Sequence, residues 1–196
     1  MNNLSNAAPT VSFDSEELIL VNPDDVEIGV MRKDRCHDGD GQLHRAFSVF
    51  LFNAAGEVLL QKRADGKRLW PGFWSNSCCS HPRAGETMDE AVPRRLEQEL
   101  GVSAELSFVY KFSYHARFGA IGSEHELCWV FVGRCDDTPA ANPHEIAELR
   151  YATVAEMDAL IRTDNETRSV YWTVGTSGPA FYYNIVGNRS QEPGFA

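Results

Sequence analysis

Apolar positions in this chain fall mostly into short runs broken by turn chemistry, a pattern that predicts many strands and few helices. Glu17 to Val21 and Val26 to Met31 flank Asn22-Pro23-Asp24-Asp25, which predicts a β-hairpin. Ala46 to Phe52 and Val58 to Lys62 flank Asn53-Ala54-Ala55-Gly56 and predict a second hairpin on the same grounds. Further strands are expected at Phe73 to Ser77, Ser107 to Ala116, Leu127 to Arg134 and Leu149 to Ala152.

Two stretches have the helical period. In Glu90 to Leu100 the apolar residues Val92, Leu96 and Leu100 recur one turn apart, and Val154 to Arg162 follows a capping box formed by Thr153 and Glu156. Pro93 falls inside the first of these. With Asp89 as N-cap it would be the fourth helical residue and would forfeit the first internal hydrogen bond, so a late start or a local kink is expected. Strands interleaved with two helices predict an α/β chain with a mixed sheet between helices. Met1 to about Phe13 is small, polar and aperiodic. Residues 1–15 are therefore expected as a disordered tail, residues 16–190 as a single domain and residues 191–196 as a C-terminal tail.

The length of 196 residues suffices for one substantial core. A net charge of −10 argues against nucleic acid as a partner, because neutralising a phosphate backbone takes a basic face. A small phosphorylated ligand needs only a local basic cluster. No apolar run approaches a membrane span and the N-terminus lacks the order of a signal peptide, so a cytoplasmic protein, acting as a monomer, is expected. Five cysteines, Cys36, Cys78, Cys79, Cys128 and Cys135, make an odd count that does not suggest a disulfide framework. If extended, Cys78 and Cys79 point to opposite faces, so one can serve chemistry while the other packs.

The densest chemistry lies in Asn76-Ser77-Cys78-Cys79-Ser80-His81-Pro82 and in Arg94-Arg95-Leu96-Glu97-Gln98-Glu99-Leu100-Gly101-Val102. The second run resembles the Nudix pattern of Gly, five residues, Glu, seven residues and Arg-Glu-apolar-x-Glu-Glu-x-Gly-apolar. Laid from Ser80 through Glu86, it departs at Ser80 for Gly, Arg95 for Glu and Gln98 for one of the paired carboxylates that gather hard cations. These departures, with the cysteine run, are similar to type I isopentenyl-diphosphate isomerases over roughly Glu16 to Val186. The resemblance implies a Nudix-type α/β/α sandwich with a mixed sheet, and the conversion of isopentenyl to dimethylallyl diphosphate in isoprenoid biosynthesis.

Strand geometry puts Glu124 and Glu126 on one face and turns His125 away. By resemblance they join His37, His44 and His81 around a divalent ion, with Mn2+, Zn2+ and Mg2+ all compatible with such mixed donors. A second ion, Mg2+ linked to the substrate, is implied at Glu99 with a main-chain carbonyl near Cys79. A lone histidine is more often a surface residue than a ligand, and His115 and His144 are read that way.

Shifting a double bond requires proton addition at one carbon and removal at another, through a tertiary cation, with acid and base on opposite faces and solvent excluded. The resemblance gives these roles to Cys79 and Glu126, with Tyr114 hydrogen-bonded beside Glu126. The bland alternatives are a small buried thiol for Cys79 and sheet packing for Tyr114. A C-terminal tryptophan, matched to Trp172, would face the cation. Strand alternation sends Trp129 to the face opposite Glu126, and Trp70 and Trp74 are expected in the pocket wall or core. Lys33, Arg63, Lys67 and Arg95 match diphosphate-binding positions and Arg68 extends that cluster, whereas an i,i+4 pair with Glu99 is the plain reading of Arg95. Two other readings stay open: a Nudix hydrolase of a nucleoside or prenyl diphosphate, which wants the carboxylate missing at Gln98, and a non-catalytic binding module, which has no need of Cys79 opposite Glu126.

Overall fold

The structure, a computed structural model, describes residues 8–153, 155–157 and 159. The first expected hairpin forms between β1 (Glu17–Val21) and β2 (Glu27–Arg32), closed by Asn22, whose side-chain oxygen accepts the backbone N–H groups of Asp24 (3.0 Å) and Val26 (2.9 Å). Asp25 adopts a positive φ of 64°, which aspartate tolerates better than most residues. Its carboxylate accepts from Arg45, Lys111 and the Trp129 indole, tying the turn to the sheet.

β3 (His44–Phe52) is the centre of the sheet and is apolar on both faces because both are covered. One flank pairs in parallel with β8 (Gly122–Arg134) over its whole length. The other is shared by β1, β6 (Cys78–Ser80) and β4 (Val58–Arg63). The second expected hairpin is therefore paired only at its root, Phe52 to Val58. β4 diverges to join β5 (Trp74–Ser75) and β9 (Ile146–Ala152), because β6 occupies the flank it would have taken. The strand expected at 73–77 is likewise split into β5 and β6 around Asn76 and Ser77. The Ser77 hydroxyl donates to the Leu59 carbonyl (2.7 Å) and accepts the Leu51 N–H (2.8 Å). β7 (Leu106–Phe118) and β8 form a hairpin longer than expected.

The helix α2 (Met88–Leu100) starts earlier than expected. Thr87, not Asp89, is the N-cap, and the Glu90 carboxylate reaches back to the Thr87 N–H and hydroxyl (both 2.9 Å), completing a capping box. Pro93 thus sits in the second turn, where it deprives the Asp89 carbonyl of a partner. Gly101 ends the helix in the left-handed conformation, φ 64°. Val92, Leu96 and Leu100 pack on Phe47, Val49, Leu51 and Cys78. Met157, from the helical residues after the Thr153–Glu156 capping box, packs on Phe50, Phe52, Leu60 and Val130, the opposite face of β3. Helical residues on both faces of a mixed sheet make the expected α/β/α sandwich. Residues 8–15 do not hang free: Val11 is buried, and the Pro9 and Val11 carbonyls bind Asn142 and Arg95. None of the described helices is long and apolar enough to cross a membrane.

Candidate active site

Strand register assembles the site on one face of the sheet. His44 on β3 lies beside Glu126 on β8, and Tyr114 on β7 lies beside Glu126 from the other side. Neighbours in register share a face, and Glu124, two residues from Glu126, joins them. Across β3, Cys79 is paired with Ser48. The positions flanking Cys79 and Glu126 on β3 are thus four residues apart, roughly 13 Å of strand, leaving room for a small molecule between the two groups. Trp129, an odd position, packs with Phe108 and Phe131 on the other face. The cavity over this face has a volume of about 200 Å3, and its wall includes Cys79, His81, Tyr114, Glu124 and Glu126.

His37 caps the short helix α1 (Lys33–Cys36), and its Nδ1–H donates to the Lys33 carbonyl (2.7 Å). The Nδ1–H of His44 donates to the Gln42 carbonyl (2.7 Å). Because a carbonyl only accepts, both rings carry their proton on Nδ1 and keep the Nε2 lone pair. The His44 Nε2 is buried with no hydrogen-bond partner, and the His81 Nε2 is 3.0 Å from Glu126 Oε1. One donor atom from each of His37, His44, His81 and Glu126 lies within 4.8 Å of the others. Burial, reinforced by the neighbouring imidazoles, pushes His37 and His44 down to about 4 and His81 well below the ordinary histidine range. Neutral imidazoles, those of His37 and His44 with free Nε2 lone pairs, beside a carboxylate are the donor set a divalent transition ion takes. The residues fit such an ion. Gly122 lets the His37 loop press on β8, since a Cβ there would lie 2.4 Å from the His37 carbonyl oxygen.

Glu124, expected as a fifth ligand, falls outside this cluster. The Tyr114 hydroxyl is 2.8 Å from Glu124 Oε2 and 2.7 Å from Glu126 Oε2. One phenol proton cannot serve both, so one contact needs a proton on a carboxyl. Burial, and behind it the charge of Glu126, pushes Glu124 up to about 8.

Cys79 is oriented by Asn76, which is absent from the expected site residues. The Asn76 amide donates to the Val49 and Cys78 carbonyls (both 3.0 Å), so its Oδ1 must face away from them and accepts the Cys79 thiol at 2.7 Å. Burial pushes that thiol up to about 11, so it is protonated near neutrality. A signal existed: two polar residues, Asn76 and Ser77, interrupting a strand-like run must find internal partners if buried. Cys78 takes the opposite face, wholly buried against α2.

The cavity wall also carries Lys33, Arg63, Lys67, Arg68 and Arg95. Lys67 is held by Glu145 (2.5 Å), and Arg63 donates to the Leu69 carbonyl. Glu145, which also lies 3.5 Å from Arg95, had no signal in any periodic pattern. Arg68 braces structure, donating to the Asp34 and Ile121 carbonyls and to Asp38. Arg95 satisfies both of its readings, since it pairs with Glu99 one turn along α2 and also lines the cavity, with its Nε buried and unpartnered. That pairing engages Oε1 of the buried Glu99 carboxylate, which sits behind Arg95 and not on the cavity wall itself. Trp70 packs with Leu69, Phe73, Tyr114 and Phe118, forming an apolar patch beside the cavity. Trp74 joins the core and carries Arg150 over its ring at 4.3 Å. Trp172 lies outside the described residues.

The sandwich and its charged, buried pocket define a Nudix-type protein, and the NUDIX domain family matches residues 42–172. Its fold is shared by a crystal structure of DR0079 from Deinococcus radiodurans, with a TM-score of 0.62 and 26% identity, covering 76% of this chain and 90% of that one. The relatives narrow the class. Isopentenyl-diphosphate Delta-isomerase 1 of Photorhabdus laumondii subsp. laumondii is 42% identical over 153 residues, 77% of this chain and 87% of its own length. The isopentenyl-diphosphate Delta-isomerase of Burkholderia multivorans is 48% identical over 139 residues, 71% of this chain and 78% of its own. This chain belongs to the isopentenyl-diphosphate Delta-isomerase family.

Proposed function

We propose that this cavity converts isopentenyl diphosphate to dimethylallyl diphosphate by proton addition and removal on opposite sides of the alkene, with Cys79 on one side and Glu126, assisted by Tyr114, on the other. The observation that carries the reading is the split arrangement itself: a protonated thiol and a carboxylate–phenol pair line one cavity from positions two same-face residues apart on β3. Tyr114 links Glu124 and Glu126, so a proton taken at one carboxyl can be replaced through the phenol. Lys33, Arg63, Lys67 and Arg95 hold the diphosphate, Arg95 through an orphaned N–H that an anion would satisfy. Leu69 and the Trp70 cluster keep water from the alkene.

A divalent ion, Mn2+, Zn2+ or Mg2+, held by His37, His44, His81 and Glu126 would supply a fixed positive charge that orients Glu126 and tunes its acidity. We include in the proposal that the enzyme works on this small substrate as a cytoplasmic monomer, without nucleic acid or membrane. The net charge of −10 argues against nucleic acid, and the five basic side chains on the cavity wall form the local cluster that a small anion needs. The hydrolase alternative finds no second carboxylate at Gln98, whose side-chain oxygen instead accepts from Arg94 (3.2 Å) and Arg95 (3.5 Å).

Incubating the metal-loaded protein with isopentenyl diphosphate in heavy water tests the reading. Deuterium should enter the methyl group that forms, without release of phosphate. Phosphate accumulating with no deuterium in the carbon skeleton would establish the hydrolase instead.

A further inference from the structure

The segment 9–14 crosses one edge of the cavity and is fastened on several sides. The Pro9 carbonyl accepts the Asn142 amide (2.9 Å), the Val11 carbonyl accepts Arg95 Nη1 (2.7 Å), and the Asp14 carbonyl accepts the Asp34 N–H (3.2 Å). These anchors come from the loop before β9, from α2 and from α1, the elements that carry Glu145, Arg95 and Lys33. Val11 inserts its side chain and is buried, whereas Phe13 is half exposed. Ser12, between them, lines the cavity.

The Ser12 Oγ is 2.5 Å from Lys33 Nζ. An ammonium only donates, so the serine oxygen is the acceptor and its own O–H is left to donate elsewhere. Lys33 has three N–H groups. Ser12 takes one and Glu16 stands 3.8 Å from the nitrogen, so the ammonium can still reach a ligand. A hydroxyl donor beside Lys33, in a wall shared with Arg63, Lys67 and Arg95, is matched to a group that is anionic and only accepts.

Resting on the reading of Lys33 and Arg95 as diphosphate cations, we propose that Ser12 is a further diphosphate-binding residue. Its oxygen fixes the Lys33 ammonium and its O–H donates to a phosphate oxygen, while the backbone of residues 9–14 closes that edge of the cavity. A segment that sequence composition assigns to a tail is then part of the substrate site.

The test uses the full chain, loaded with metal, carrying Ser12→Ala, Ser12→Thr or Lys33→Met. Inorganic diphosphate serves as the probe for direct binding, and isopentenyl diphosphate for kinetics. Ser12→Ala should raise both the Kd for inorganic diphosphate and the KM about tenfold, the scale of a lost hydrogen bond to a charged group, with kcat within about twofold of wild type. The melting temperature should stay within about 2 °C. Ser12→Thr, which keeps the hydroxyl, should restore both constants. If Lys33→Met weakens diphosphate binding while Ser12→Ala leaves Kd and KM unmoved, the assignment of Ser12 is overturned and the diphosphate reading stands. If neither substitution moves them, both are overturned.

Discussion

Replacing the two adjacent cysteines one at a time should separate chemistry from packing. The Cys79 thiol makes its shortest bond to Asn76 Oδ1 (2.7 Å), and that oxygen also accepts the Ser75 hydroxyl at 3.1 Å. Cys79→Ala therefore leaves no buried acceptor without a donor, and its stability cost should be under about 1 kcal/mol. Catalysis should suffer far more. General acid–base groups contribute roughly 10²–10⁴-fold, and among the described residues Cys79 is the only thiol that lines the cavity, so kcat should fall by at least about 10³. Cys78→Ala has the opposite profile. It deletes a wholly buried sulfur among Val49, Leu96 and Leu100, which should cost about 1–2 kcal/mol, or roughly 3–6 °C in Tm, while kcat changes less than about threefold. The assay is dimethylallyl diphosphate formation at saturating substrate, alongside thermal melts and elemental analysis of bound metal. Equal loss of kcat in both variants, or loss of metal from Cys79→Ala, would refute the assignment of the thiol to proton transfer.

The metal reading predicts that chelation abolishes turnover and that His81→Asn lowers both metal occupancy and rate by about 10-fold or more, because its Nε2 reaches the same carboxylate oxygen the ion would share. Full metal content in single His37, His44 and His81 variants would contradict the site. Gly122→Ala should weaken the same centre from a distance: the added Cβ meets the His37 carbonyl oxygen at 2.4 Å, so the loop must move, at about 1–3 kcal/mol and with reduced metal affinity. Gly66→Ala, with nothing within 4 Å of the new Cβ, should leave Tm unchanged within about 1 °C, and an equal Tm for both variants would show that the close approach carries no weight.

The strands and the fold class were legible because apolar runs and turn residues are local signals. Asn22 shows why, since a single side chain closes the β1–β2 turn using residues two and four further on. What local signals could not give was partnership. The run at 58–62 reads as the return arm of a hairpin, but it pairs with β3 only at Phe52 to Val58 and then with β5 and β9, because β6 occupies the flank of β3 beyond that point. The start of α2 differs from the expected one for a smaller reason: Asp89 and Thr87 are both good caps, and the choice is made by Glu90 reaching back to Thr87.

The same division runs through the site. Glu124 and Glu126 share a face by strand alternation alone, but that Glu126 joins the imidazole cluster while Tyr114 bridges both depends on the β3–β8 and β7–β8 registers, which no spacing within one strand encodes. Arg95 could be a helix pair or a substrate contact on sequence grounds, and the fold makes the alternatives compatible, because a guanidinium has five N–H donors and Glu99 and Val11 leave its Nε over. Residues 9–14 show the limit most plainly. Their composition lacks the apolar content to fold by itself, yet one valine and three backbone carbonyls dock them, the carbonyls accepting one N–H each from Asn142, Arg95 and the Asp34 backbone. A segment can thus be ordered by the needs of the surface it covers, and here that surface is the edge of the substrate cavity.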